Sequence, residues 1–404
     1  MKKIELLSPA GDMSKLKTAL YFGADAVYIG GKSFSLRALA GNFTDDEIRN
    51  AVEYSHNLGK KVYVTVNVFA RNSDIGSLGK YLKFLESSKV DGAIISDTGV
   101  MALSKSVAPD LPLHLSTQAN VLNYKTVEFW RSFGVKRVVL ARELSREEIK
   151  EIHEKVPDIE IETFIHGAMC IAYSGRCLLS DYTTGRSSNK GACVQACRWN
   201  YQIREKNSNG EFFDVEEDDR GTYILNSKDL NLMDYIAELD DAGVCSFKIE
   251  GRMKSEYYLA TVVNAYRRAI DAYYETGKEY KNNPLFQSEL LKTAHRDFTT
   301  AYFSGENKRT VNYLDSQSKG THIFVAQVMG AGGGYAEVEM RNRFKTGDEL
   351  EVLSPTDEFN KILTVKEMID ENGNAVNDAK LVQQRIKIKT DLSLCTGDIL
   401  RRKI

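Results

Sequence analysis

Short apolar runs rich in β-branched residues recur through the first 250 residues of the chain, each closely following a glycine or an aspartate. A helix that ends at a glycine and leads into an apolar run is typical of a helix followed by a buried parallel strand. The pattern therefore predicts alternating helices and strands. Five such units lie at residues 22–30, 59–67, 90–97, 133–142 and 242–251.

Three further apolar runs bring the number of predicted strands to eight; they lie at residues 4–8, 113–118 and 159–166. Helical patterns separate most of the strands, and one of them begins at Thr44, whose spacing from Glu47 predicts a capping box. Eight alternating units predict an α/β protein with a (β/α)8 barrel of the TIM type. The alternative, a doubly wound sheet, is expected to carry a glycine-rich phosphate loop after its first strand, and residues 8–12 do not form one.

The pattern changes after residue 320, where apolar and polar residues alternate with a period of two, as in half-buried strands. We predict a barrel at 1–280, a helical and polar linker at 281–320 and a small β-barrel domain at 321–404. Basic residues of this last domain predict a phosphate-binding face for RNA, and a solvated strand face is the alternative. They are Arg341, Arg343, Lys345, Lys387, Lys389, Arg401, Arg402 and Lys403.

Polar residues directly after the apolar runs are the candidates for an active site, because barrels of this type build their sites at the carboxyl ends of the strands. Strand-end caps and salt bridges at the barrel mouth are the alternative interpretation. We expect six of these residues to line one cavity: Gln118, Arg142, His166, Lys248, Glu250 and Arg252. Tyr28, Asn67 and Asp97 are further candidates of the same kind.

Four of the six cysteines fall within one insertion, predicted at about 168–222 after the seventh strand, with the spacing Cys-x6-Cys-x15-Cys-x3-Cys. Iron–sulfur clusters accept such varied spacings, whereas zinc sites favour closer pairs, so a [4Fe–4S] cluster is ranked above zinc. Four buried free thiols or a reversible disulfide are the remaining alternatives. The four are Cys170, Cys177, Cys193 and Cys197, and the other two, Cys245 and Cys395, are expected in cores.

Composition and charge narrow the class of protein. The chain is 42% hydrophobic and 27% charged, which is ordinary for a globular protein, and we expect no export signal and no membrane-spanning segment. A cytoplasmic location follows as an expectation. The net charge is −2, so an RNA partner requires a locally basic surface.

The sequence from Glu162 to Ser180, with Gly167-Ala168-Met169-Cys170 and Gly175-x-Cys177 at its centre, resembles the signature of the collagenase-like peptidases, family U32. The resemblance extends over most of the chain. It implies an oxygen-independent hydroxylation, of the wobble uridine in tRNA, of a ribosomal RNA cytidine or of a quinone precursor, with a cysteine-held iron–sulfur cluster. Position 232 is Leu and the fourth candidate ligand is Cys197, which favours the RNA branches over the quinone branch.

The tRNA branch, which the chain resembles most, implies 5-hydroxyuridine as the product and a prephenate-like donor. Arg142, Lys248 and Arg252 would pair with the carboxylates of that donor together with Gln118. His166 and Glu250 are the candidates for proton transfer. The four clustered cysteines would hold the cluster, or alternatively zinc. The expected partners are tRNA, the donor and a second subunit, either a copy of this chain or a paralogue.

A collagenase-like peptidase, dependent on a metal or a cysteine, stays the alternative function. The chain has neither a Gly-x-Ser-x-Gly elbow nor a His-Glu-x-x-His helix, but catalytic groups need not be close in sequence. A zinc ion held by three cysteines with an open position could also activate water. A non-enzymatic redox sensor or cluster-carrying subunit is a further alternative.

Overall fold

The computed structural model describes residues 3–36, 41–169, 228–277, 280–305 and 318–404, with residues 184, 186, 194, 204–206 and 212–214. Ahead of residue 306 its described strands are β1 (Glu5–Pro9), β2 (Ala26–Gly30), β3 (Lys61–Val66), β4 (Gly92–Ile95), β5 (Leu113–Leu115), β6 (Arg137–Val139), β7 (Glu160–Ala168), β8 (Arg204–Lys206), β9 (Phe212–Asp214), β10 (Asp229–Asn231), β11 (Val244–Ile249) and β12 (Phe298–Thr299).

Eight of these strands form a closed parallel barrel in the order β1 to β7 followed by β11, which pairs with both β7 and β1. They are the eight strands that the sequence predicts. The (β/α)8 barrel is therefore confirmed. The core between the barrel and its helices is apolar, with Leu6, Ile29 and Val64 fully buried on the outer faces of their strands.

The described helices are α1 (Met13–Tyr21), α2 (Asp45–Asn57), α3 (Ile75–Ser87), α4 (Thr98–Val107), α5 (Tyr124–Ser132), α6 (Arg146–Lys155), α7 (Ile236–Asp241), α8 (Glu256–Thr276) and α9 (Pro284–Leu290). Side-chain caps begin most of them; Thr44 and Glu47 form the predicted capping box at α2. In the described part of the chain, no helix combines the length and the apolar character needed to cross a membrane.

A layer of buried charges crosses the inside of the barrel below its mouth. The Arg137 guanidinium donates to Glu5 Oε1 at 2.5 Å and to Glu162 Oε2 at 3.1 Å. Glu162 lies on β7, which pairs with the strand of Arg137, whereas Glu5 lies on β1, which does not. Burial by itself raises the pKa of the Glu5 carboxyl. The charge and hydrogen bond of Arg137, together with Tyr63 and Lys61, outweigh burial, so the pKa of Glu5 lies below its ordinary value. Removal of any one of these charges would leave its buried partner uncompensated, so the layer is stable only as a whole.

Two short strands extend the sheet beyond the barrel. Strand β10 pairs antiparallel with the end of β7, where Asn231 lies opposite His166, and β12 pairs with β10. The register between β7 and β11 shifts at this point, since Lys248 lies opposite Phe164 but Ile249 lies opposite His166. One extra residue on β7 is a β-bulge, which turns the strand beyond it.

The second domain is an antiparallel β structure with its own apolar core. One sheet has the order β17-β16-β22-β13-β14-β21-β18-β19, and β15 pairs with β20. Its strands are β13 (His322–Gly332), β14 (Tyr335–Met340), β15 (Phe344–Lys345), β16 (Glu349–Leu353), β17 (Ile362–Thr364), β18 (Met368–Asp370), β19 (Ala375–Val376), β20 (Asp378–Ala379), β21 (Arg385–Lys389) and β22 (Ile399–Lys403).

The predicted phosphate-binding face is wrong for Arg401, which is 0% exposed. Its guanidinium donates to Glu289 Oε2 at 2.6 Å and to Glu351 Oε1 at 2.7 Å, so it joins α9 to the β domain. Other basic residues of the face are paired as well: Arg343 donates twice to Asp378, and Arg402 donates to Asp348 at 2.6 Å. Carboxylates of the same domain therefore neutralise much of this face.

Candidate active site

A cavity lies at the carboxyl ends of the barrel strands. Five of the six side chains predicted to share a cavity line it: Gln118, Arg142, Lys248, Glu250 and Arg252. Its other lining residues are Tyr28, Leu36, Thr65, Asn67, Ile94, Ser116, Thr117, Val139 and Phe164. The order of the strands explains this convergence, because residues that directly follow parallel strands meet at one end of a barrel.

Lys248 is buried on β11 and carries its charge into the floor of the cavity. Its Nζ donates to Glu162 Oε1 at 2.7 Å and lies 4.4 Å from the centre of the Tyr28 ring. Glu162 is held in turn by Arg137. The ammonium is therefore fixed in position from below, with the face of an aromatic ring beside it.

Arg252 is also buried, and hydroxyl groups hold it at the cavity wall. Its Nη1 donates to Ser35 Oγ at 2.7 Å and to Thr65 Oγ1 at 3.1 Å. Gly30 permits this position, because a Cβ atom at residue 30 would collide with Arg252 Nη1 and Ser35 Oγ. A glycine at the end of β2 is thus part of the binding wall.

Arg142 connects the cavity to the end of β7. Its guanidinium lies 4.0 Å from the centre of the Phe164 ring, and its Nη1 donates to the Ala168 carbonyl at 2.7 Å. Met169 follows, and Cys170, the first residue of the cysteine cluster, is the next residue in the chain. The side chain is half-buried, and its Nε is a buried donor that has no hydrogen-bond partner among the described residues.

Glu250 is the carboxylate among the described residues that line the cavity. The Tyr28 hydroxyl is 3.3 Å from its Oε2 and donates to the Ile249 carbonyl at 3.0 Å. The Glu250 main chain packs tightly against Gly167, which has a φ of +105° and whose missing side chain would collide with the Glu250 carbonyl. Glycine is required there both by the backbone conformation and by the close approach.

The charges that line the cavity suit an anionic ligand. Among the described lining residues, three side chains are cationic, Arg142, Lys248 and Arg252, against one carboxylate, Glu250. Glu162 balances Lys248 from below, but it does not belong to the lining described above. Guanidinium groups bind carboxylates through two parallel hydrogen bonds, so a small molecule with carboxylate groups fits this lining.

Comparison with known proteins identifies the family. The description "Peptidase family U32" matches residues 11–313, and "Peptidase family U32 C-terminal domain" matches residues 320–401. The chain belongs to peptidase family U32. This membership was expected from the motif around Cys170 and Cys177.

Relatives of this U32 protein carry names of different kinds. It is 43% identical over 99% of its length to "tRNA hydroxylation protein P1" of Bacillus subtilis, covering 95% of that protein. It is 35% identical over 87% of its length to "23S rRNA 5-hydroxycytidine C2501 synthase" of Escherichia coli, covering 52% of it. It is 32% identical to "Collagenase" of Porphyromonas gingivalis, over 87% of each chain.

The expectation that His166 lines the cavity is wrong. It is buried on the other side of the strand, with ring centres 5.5 Å from Tyr266 and 5.6 Å from Phe298. The β-bulge in β7 explains this, because it places His166 opposite Ile249, whose side chain points away from the barrel interior. Burial, with the nearby charges of Lys254 and His295, lowers the pKa of His166 to about 3.

This buried imidazole predicts a stability that falls with acid. In the unfolded chain histidine titrates near its ordinary pKa of about 6.5, whereas folded His166 stays neutral down to about 3. Stability is therefore lost as pH falls below about 6.5, by about 2 kcal/mol between pH 7 and pH 5. For His166→Asn, the free energy of unfolding measured with urea should fall about 2 kcal/mol less between pH 7 and pH 5 than it does for the natural protein. An equal pH dependence of the two free energies would contradict this prediction.

The sequence analysis did not single out the hydroxyl side chains of the site. Ser35 and Thr65 hold Arg252, Ser116 contacts Gln118, and the Thr117 hydroxyl donates to the Leu140 carbonyl at 3.1 Å. Small polar residues at the ends of two predicted strands were a usable signal for Thr65 and Ser116. Ser35 lies in a loop, where no periodic pattern operates.

The predicted metal ligands Cys170, Cys177, Cys193 and Cys197 lie outside the described residues, as does most of the insertion predicted at 168–222. Within the described ranges, no three His, Cys, Asp or Glu side chains are grouped to hold a metal ion. Cys245 is half-buried, and burial raises the pKa of its thiol to about 11. Cys395 is exposed, so its expected place in a core is wrong.

Proposed function

We propose that this U32 protein is an RNA-modifying enzyme that hydroxylates the wobble uridine of tRNA to 5-hydroxyuridine. The observation that carries the proposal is the cationic cavity at the barrel mouth in a chain whose relatives include RNA hydroxylation proteins. The tRNA assignment is supported over the ribosomal one by the higher identity and by coverage of nearly the whole relative. The target base has to be presented unstacked, as in a single-stranded loop.

The donor in this proposal is a small prephenate-like molecule with carboxylate groups. Arg142 is held at the end of β7 and Arg252 beside β3, and Lys248 supplies a third positive charge from the floor. Each carboxylate would meet a cation that the protein already holds in place, so little side-chain ordering is needed on binding. Gln118 adds an amide to the same lining.

Glu250 is the candidate for proton transfer in this proposal. It lines the cavity, and its Oε2 lies 3.3 Å from the Tyr28 hydroxyl. The same carboxylate would therefore contact a bound ligand and exchange a proton with the Tyr28 hydroxyl. His166 is left out of the mechanism because its ring is buried away from the cavity and its pKa is lowered to about 3. At neutral pH its ring is therefore uncharged.

The cofactor in this proposal is an iron–sulfur cluster of the [4Fe–4S] type, held by Cys170, Cys177, Cys193 and Cys197, with zinc as the alternative. Four thiolates are the donor set that such clusters use, and a cluster would supply electron transfer beside the cavity. The described structure supports the location, since β7 ends at Ala168, whose carbonyl accepts from the cavity residue Arg142.

The cavity offers less to a peptidase. The described residues of its lining include neither cysteine nor histidine, and the serine among them, Ser116, contacts the Gln118 amide at 3.3 Å. Within that described lining, no nucleophile lies beside an activating base.

Analysis of tRNA nucleosides by mass spectrometry in a deletion strain tests the proposal. The natural gene should restore 5-hydroxyuridine-derived nucleosides, and Arg142→Lys should lower the modification rate about tenfold at limiting donor, because an ammonium cannot form the two-bond fork. The matched control is Arg131→Lys, which changes an exposed arginine of α5 paired with Asp158. Unchanged tRNA nucleosides in the deletion strain would refute the tRNA assignment, and gelatin cleavage by the purified protein would favour the peptidase.

A further inference from the structure

A chain of hydrogen bonds fixes the orientation of one amide in the cavity. The backbone N–H of Leu36 donates to Asn67 Oδ1 at 3.1 Å. A backbone N–H can only donate, so the Asn67 atom that faces it has to be the oxygen. Asn67 Nδ2 consequently points the other way, and it donates to Gln118 Oε1 at 2.7 Å. Each amide orientation follows from the one before it.

The last group of this chain is a buried donor without a partner among the described residues. Gln118 is 4% exposed, and its Nε2 forms no hydrogen bond within the described ranges. Its Oε1 is occupied by Asn67 and lies 3.3 Å from the Ser116 hydroxyl. A buried donor left unsatisfied is costly, and Gln118 lines the cavity, so we expect a group bound in the cavity to accept from Nε2.

We propose that Asn67 is a positioning residue, which holds the Gln118 amide so that Nε2 donates to a carbonyl or carboxylate oxygen of the cavity's ligand. This inference rests on the proposed function for the identity of the ligand and adds how one of its atoms is recognised. Arg142 and Arg252 attract any anion, whereas an oriented amide requires an acceptor at one place. Asn67 and Gln118 therefore add a requirement for an acceptor at one place to a lining that otherwise selects its ligand by charge.

The isosteric change Asn67→Asp reverses this orientation. One oxygen of the new carboxylate still accepts from the Leu36 N–H, and the other now demands a donor from Gln118. The Gln118 amide turns over, so its Nε2 faces position 67 and its Oε1 faces the ligand oxygen. Asn67→Ala removes the constraint without reversing it, and Gln118 stays free to present its donor. If Asn67 had a merely structural role, Asn67→Ala, which removes more atoms, would weaken ligand binding more than Asn67→Asp.

Calorimetric titration with prephenate as the probe measures this difference on the full-length protein. We expect Asn67→Asp to weaken binding about tenfold or more, and Asn67→Ala about twofold, because a buried acceptor facing an acceptor costs more than a lost constraint. Circular dichroism of each variant verifies that the barrel is folded. Equal losses in the two variants, or a larger loss in Asn67→Ala, would overturn the proposal.

Asn67→Asp also introduces a negative charge. To distinguish the effect of this charge on binding from that of the amide reversal, Asn67→Asp and Asn67→Ala are repeated in a Gln118→Met background. Methionine has a similar length but no amide to turn over, so the difference between Asp and Ala at position 67 should shrink to about threefold or less. A difference as large as in the natural background would show that charge alone acts, and the positioning role would be wrong.

Failure of the proposed function gives a different result. If the natural protein restores tRNA modification but binds no prephenate, the proposed donor is wrong. The variants are then compared by the level of tRNA modification in the complemented strain, where Asn67→Asp should again lose more than Asn67→Ala. If it restores no modification either, the proposed function and this inference fall together.

Discussion

Replacing Arg137 with methionine is expected to destabilise the barrel by about 3–5 kcal/mol, or to prevent its folding, because the change leaves buried carboxylates without their partner. Arg137 is 3% exposed and donates to Glu5, Glu160 and Glu162. Glu162 in turn holds Lys248 at the cavity floor, so activity should fall with stability. Thermal unfolding and the soluble fraction after expression measure the effect.

Arg131→Met is the matched control for this experiment. Arg131 forms an ion pair of 2.8 Å with Asp158, but the two side chains are 46% and 64% exposed. Exposed pairs contribute little because water screens them, so the melting temperature should hardly change. Similar melting temperatures for the two variants would mean that the buried charge layer is not a source of stability.

The double variant Cys193→Ala/Cys197→Ala is expected to lose all hydroxylated tRNA product. In the proposed function these residues are two of four thiolate ligands, and a cluster that lacks two ligands loses its redox chemistry. The measurement is nucleoside analysis of tRNA from the complemented deletion strain, together with the iron and sulfide content of protein purified without oxygen. Both quantities should fall.

The control variant Cys245→Ala/Cys395→Ala removes the two cysteines outside the cluster. The Cys245 thiol donates to the Ile161 carbonyl at 3.3 Å and Cys395 is exposed, so neither belongs to the cavity. Its tRNA modification should match that of the natural protein. Full modification by Cys193→Ala/Cys197→Ala would remove the hydroxylase proposal in its cluster-dependent form, whereas retained cleavage of gelatin by it would favour a peptidase.

The barrel could be predicted because its signal is local. Each buried parallel strand is a short apolar run and each preceding helix has an end signal, so runs such as 59–67 identify a strand without knowledge of its neighbours. The same rule located five side chains of the cavity, since a residue that directly follows a strand has to lie at the barrel mouth. Arg142 and Glu250 are of this kind.

The charged layer inside the barrel could not be predicted with the same rule. Glu5 lies on a strand far in the sequence from those of Arg137 and Glu162, and which charged side chains face one another depends on strand order and stagger. In hindsight there was a weak signal. Charged residues inside otherwise apolar strands are expensive, so each one indicates a partner elsewhere in the core.

Two other errors have equally specific causes. His166 was misplaced because a single extra residue in β7 exchanges the inward and outward faces, and no feature of the apolar run records that bulge. Arg401 was assigned to a surface because basic residues at the end of an alternating strand are usually solvated. Its partners Glu289 and Glu351 belong to two separate parts of the chain and meet it only after folding.

The barrel closes by pairing its first strand with its last, and the Ser246 hydroxyl reaches Glu5 across 241 residues of chain. A contact between such distant residues cannot form until the ribosome has produced both of them. The segment from Cys170 to Cys197 precedes β11 in the sequence. During synthesis, all four thiols therefore emerge and can meet metal donors or oxidants before the barrel is complete.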